Sequence, residues 1–162
     1  MQTFKLAIMN EEKKRFLQED FIPLLKKLDA DTKGKWGAMN TQQMVEHFVD
    51  AVKNASGKLI LPVVNSGERL EKSREFLMTE KQFKENTKNP LIGDTPFPLR
   101  KANISAAIEK LQQELDYFFQ VFENNPNLKT NNSIFGELDY AMNVQLLHKH
   151  ALHHLRQFGL VE

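Results

Sequence analysis

The sequence predicts an all-α fold, a four-helix bundle. Three observations carry the prediction: apolar residues recur at steps of three and four in four segments, capping residues precede or follow most of those segments, and a long irregular stretch separates the second from the third. With 162 residues the chain is long enough to bury one core without staples, so a single domain over 1–162 is expected.

Asn10, followed by Glu11 and Glu12, offers a side-chain cap and two carboxylates for the positive end of a helix dipole. A first helix is expected from there to about Leu28, with Leu17, Phe21, Leu24, Leu25 and Leu28 on one face and a kink at Pro23. Residues 31–40, with Gly34 and Gly37 around Trp36, read as a loop in which Trp36 plugs the entry to the second helix. Asn40 and Gln43 resemble a capping box, and Met44, His47, Phe48, Ala51 and Ala55 then form one inward stripe. His47 therefore faces the core.

Residues 56–102 contain Pro62, Pro90, Pro96 and Pro98 and read as a long crossover connection between helices two and three. Within it, 59–64 is expected to be extended and 68–86 to form one or two short helices, and connections of this length in a compact domain usually carry function. Ile104, Ile108, Leu111, Leu115, Phe118 and Phe122 alternate steps of four and three, the spacing of a bundle seam, which makes both phenylalanines core. Asn124, Asn125 and Pro126 end that helix, and an Asn-rich loop follows through Asn132. The last helix is expected over 139–158 with Tyr140, Val144, Leu147, Ala151, His154 and Phe158 inward, Gly159 as a left-handed terminator and Leu160 folding back.

The 22 basic residues against 21 acidic ones give a net charge of +1, too small a field to recruit a nucleic acid. Without cysteine there is neither disulfide nor thiolate ligand, so any metal must be held by histidine and carboxylate. The first ten residues lack a secretory pattern, and the apolar run from Leu59 to Val64 is too short to span a bilayer, which leads to the expectation of a cytoplasmic protein.

Four of the five histidines, His148, His150, His153 and His154, fall within seven positions of the last helix. Residues four apart lie one above the other, so His150 and His154 can offer their rings to one ion, while His148 and His153 point elsewhere, as solvated residues or supports. His47 supplies a third imidazole from another helix. Three nitrogens are the minimal set that leaves a coordination position open for water or substrate. Imidazole suits Zn, Ni, Fe and Cu alike, and a divalent ion of this kind would make a bound water or thiol nucleophilic at neutral pH. Glu46 points about 100° away from His47 on an ideal helix and reads as solvated. Arg156 and Gln157 either line the rim of the site or cap the last turn.

The run His150-Ala151-Leu152-His153-His154-Leu155-Arg156-Gln157-Phe158-Gly159 resembles the last-helix motif of the DinB/YfiT-like superfamily. Trp36-Gly37-Ala38-Met39, followed by Gln43, Met44 and His47, is similar to the W-G-x-M and Q-M-x-x-H signature of one of its subgroups. The resemblance implies an up-down-down-up bundle in which His47, His150 and His154 bind a divalent transition metal, zinc or nickel first. It also implies a small-molecule substrate such as a low-molecular-weight thiol, a thiol S-transferase-like or hydrolase-like activity, and a homodimer. Asn143 and Leu152 depart from the subgroup, standing where Trp and Asp are expected, which removes an acidic neighbour at Leu152. A binding module in which the ion only staples helices is the rival expectation, and a nucleic-acid partner is disfavoured by the charge.

Overall fold

Three of the four expected helices begin on the caps their sequences offer. In the computed structural model, which describes every residue except Lys88, Asn40 accepts from the Gln43 amide while the Gln43 side chain accepts from the Asn40 amide, both at 2.9 Å. Asn103 and Asp139 accept from the Ala106 and Met142 amides at 2.8 and 2.9 Å. Each such cap satisfies an amide that the first turn leaves free, worth about 1 kcal/mol. In chain order the elements are α1 (Gln2–Arg15), a π-helical stretch (Phe16–Asp20), α2 (Phe21–Leu25), α3 (Thr41–Ala55), α4 (Gly67–Leu77), α5 (Ile104–Asn124), strands β1 (Thr130–Asn132) and β2 (Gly136–Leu138), and α6 (Tyr140–Gln157).

The first helix starts at Gln2 and not at Asn10, which lies inside it, and no side chain caps it. Near Pro23 the helix widens rather than simply kinking. The Phe21 amide bonds the Phe16 carbonyl, one residue farther back than in an α-helix. Pro23 has no amide to donate and its ring would press on the Glu19 carbonyl, so a wider turn just before it relieves the crowding.

Leu17, Phe21 and Leu25 from the first helical stretch, Met44, Phe48 and Val52 from α3, Leu111, Leu115 and Phe118 from α5, and Val144, Leu147, Ala151 and Leu155 from α6 form the main core. Burying each large apolar side chain contributes about 1.5–3 kcal/mol relative to exposure, so this cluster is what holds the helices side by side. Phe21 and Phe48 meet edge to face at 4.8 Å. α6 ends as read: Gly159 has φ +74°, its amide bonds the Arg156 carbonyl at 3.0 Å, and the Leu160 amide reaches Leu155 at 2.8 Å.

Among the described residues the crossover contains one helix, α4, covering the first part of the predicted 68–86 stretch, while 59–64 has no regular structure and is tied down where the Val64 amide bonds Ser133 at 2.8 Å. The Asn-rich loop conceals a short antiparallel hairpin, Thr130 opposite Leu138 and Asn132 opposite Gly136. Asn143 explains why it forms. Its buried amide donates to Thr130 Oγ1 and to the Asp139 carbonyl at 3.0 Å each, fastening the hairpin to α6. Leu77, Phe135, Leu138 and Leu146 make a second, smaller core that joins α4, the hairpin and α6. The chain is thus a mostly helical bundle with one small sheet, and no helix among the described residues is long and apolar enough to cross a membrane.

Candidate metal centre

The stripe periodicity of α3 and the four-residue spacing on α6 turn three imidazoles to one point. His47, His150 and His154 each offer a ring nitrogen, and these atoms lie within 4.8 Å of one another. His150 Nε2 sits 2.8 Å from His154 Nε2 and 3.1 Å from His47 Nε2. Nitrogens bound tetrahedrally to zinc at ~2.0–2.1 Å are separated by about 3.3 Å, so both His150 contacts are somewhat shorter than such an edge, and the remaining separation is no more than 4.8 Å.

The hydrogen-bond arithmetic favours the same reading. Gln157 Nε2 donates to the Trp36 carbonyl at 2.9 Å, which fixes the amide orientation and turns Gln157 Oε1 to His154 Nδ1 at 2.7 Å. His154 Nδ1 therefore carries the proton and its Nε2 only a lone pair. Neutral His150 has at most one proton on Nε2, enough for one of its two close contacts. The other contact is left without a hydrogen bond. A cation receiving all three lone pairs removes that conflict.

Electrostatics keep the rings neutral. Burial pushes His47 down to about 4, with the Asp50 carboxylate opposing it and the proximity of His153 adding a smaller push the same way. His150 and His154 are held well below the ordinary imidazole value by burial first and by their mutual proximity and that of His47 second. Lone pairs are thus available at neutral pH.

Gln157 belongs to the site and not to a helix cap alone. The loop before α3 closes on it: the Lys35 amide bonds the Gln157 carbonyl at 2.7 Å, and a Cβ on Gly37, whose φ is +79°, would stand 2.8 Å from Gln157 Nε2. Glycine is required there both by the backbone and by the close approach. Trp36 is half-buried, and its ring meets that of His153 on α6 at 5.6 Å.

Of the remaining histidines, His148 packs edge-on against Phe16 at 5.2 Å and burial pushes it down to about 4. His153 lies beside His154, ring centres 5.3 Å apart, and neither His148 nor His153 joins the three converging nitrogens. Glu46 is not solvated. Its buried carboxylate accepts from the Arg100 and Lys101 amides at 2.9 and 2.8 Å and from Gln42 Nε2 at 3.2 Å, bonds that hold it in the charged form despite the opposing effect of burial. It fastens the end of the crossover to α3, next to His47. Leu152 packs against the main core, so the acidic neighbour absent there has no replacement at that position.

No family model, curated protein or solved structure matches the chain.

Proposed function

We propose that the protein is a metal-dependent enzyme of the DinB-like superfamily, thiol S-transferase-like or hydrolase-like, built on an up-down-down-up bundle. His47, His150 and His154 hold a divalent transition ion, zinc or nickel. The observation that carries this reading is the convergence of three Nε2 atoms that cannot satisfy one another, one of them locked in the ligating tautomer by Gln157. Such an ion supplies Lewis acidity, lowering the pKa of a bound water or thiol toward neutrality. The chain's own residues hold the rings neutral by burial, orient His154 through Gln157, and present the substrate side through the half-buried His47 and His150. The substrate is a small molecule, with a low-molecular-weight thiol as one reactant, and the active form is a homodimer, both following from the family likeness.

Glu46 favours a second reading, a non-catalytic binding module. The carboxylate nearest His47 in sequence is consumed by backbone amides and gives the site no general base. Metal analysis of tag-free protein beside His47→Ala tests the site, with one equivalent expected in the parent and loss in the variant. Zinc- and nickel-loaded protein is then assayed with low-molecular-weight thiols plus electrophiles and with ester and amide panels. Metal-dependent turnover supports the enzyme; bound metal with no turnover supports the module; no bound metal removes both.

A further inference from the structure

Among the described residues two lysines are buried, Lys13 and Lys149, at 9% and 6% exposure. Lysine is rarely buried without a compensating partner, so what surrounds each is informative. Lys149, on α6 one position before His150, donates to the Thr79 carbonyl at 2.6 Å and to the Lys81 carbonyl, and its ammonium lies 4.8 Å from the Phe76 ring centre. One turn earlier, Gln145 donates to the Leu77 and Thr79 carbonyls at 3.0 Å each. Lys13 reaches Glu80 at 2.6 Å and Gln145 at 2.5 Å. Of these partners, Thr79, Glu80 and Lys81 lie just after α4, where the chain has left its helix and runs as turn and coil, and Leu77 is the last residue of α4.

The strap ends on the metal helix. Phe83 lies edge-on to His153 with ring centres 6.0 Å apart, Trp36 meets His153 from the preceding loop at 5.6 Å, and His153 is the neighbour of His154. His153 Nδ1 is out of reach of solvent without a well-formed hydrogen bond. Gln145, Lys149 and His153 are spaced by four, so one face of α6 binds the strap while the adjacent face, His150 and His154, binds the ion.

We propose that residues 77–83 are a closing strap over the metal helix, that Lys149 is its latch, and that its opening uncovers the His153 and His154 side of the centre. Beyond Leu77, which belongs to α4 and to the smaller core, the strap has no helix or sheet of its own and is held by side chains of α6, by Lys13 of α1 and by Phe83 packing on Phe135, the mark of a segment that opens locally before the main core does. This rests on the metal reading for what the opening uncovers, but not for the latch itself.

Two measurements on the full chain test it. Amide hydrogen exchange reads the strap directly, and the rate at which a chelator extracts zinc from the loaded protein reads access. Lys149→Met keeps the stem and removes both bonds to the carbonyls, and Phe83→Ala acts from the strap without touching the metal helix's backbone. Both variants are expected to raise exchange at 77–83 and to speed zinc extraction about tenfold. Lys58→Met, which removes an ion pair to Glu114 elsewhere, is expected to change neither. Faster exchange with unchanged extraction in both variants overturns the gate, and unchanged exchange overturns the latch. A parent protein that takes up no zinc overturns the metal reading instead, and the exchange arm then decides the latch alone.

Discussion

Replacing Gln157 by leucine separates the tautomer argument from mere proximity of three rings. The substitution removes the acceptor for His154 Nδ1–H at 2.7 Å and the donor to the Trp36 carbonyl at 2.9 Å, and both groups lie inside the structure. A buried donor left unpaired costs about 1–3 kcal/mol and a lost neutral hydrogen bond about 1, so the metal-free protein should lose about 3 kcal/mol. At ~2–4 °C per kcal/mol for a chain of this size, melting should fall by about 6–12 °C. Losing the partner that orients a ligating histidine typically weakens metal binding about 10–100-fold. Zinc affinity measured by competition with a chromophoric chelator, on variants first shown to be folded by circular dichroism, reads the effect. Gln157→Glu still accepts from Nδ1–H and should retain zinc while losing only the bond to Trp36. A folded leucine variant that binds zinc as the parent does would refute the reasoning, as would a glutamate variant as weak as leucine.

The pH response of metal-free protein follows from His47. Its folded value of about 4 lies below the unfolded 6.5, so the unfolded chain binds the extra proton; the stability is whole above pH 6.5 and is lost as pH falls toward 4. Between pH 8 and 5 this one group accounts for about 2 kcal/mol, to be read by urea unfolding, and His47→Ala should flatten the slope by that amount; an unchanged slope contradicts the assigned burial. Asn143→Ala removes the hairpin's tie to Thr130 and should cost about 1–3 kcal/mol in urea unfolding with zinc affinity unaltered. A loss of zinc binding in that variant would show the hairpin to be part of the site.

What the sequence made legible is what is local. The caps at Asn40 and Gly159, the start of α6 near Asp139 and the stripes of α3, α5 and α6 depend on residues within a turn or two of each other, and they stand where the pattern puts them. The three converging imidazoles were legible for the same reason, since spacing fixes which faces His47, His150 and His154 take. The hairpin was not: three-residue strands of polar sequence carry no periodicity, and what pins them is Asn143 and, from α4, Arg74, whose guanidinium donates to the Phe135 and Glu137 carbonyls. Glu46 misled because its partners are main-chain amides 54 and 55 positions away, invisible to any reading of side-chain types. The start of α1 was misplaced because Gln2 to Ile8 is exposed along its length, leaving no buried stripe to read.

The ligand spacing also orders events in time. His150 and His154 stand four positions apart and are juxtaposed as soon as one helical turn forms, whereas His47 must arrive across 103 positions of chain. A half-assembled chain offers two nitrogens and a finished one offers three, so on the proposed metal reading ion occupancy would report docking of α3 on α6 and not helix content. Loading the protein therefore selects, from a population at various stages of maturation, those molecules whose tertiary assembly is complete.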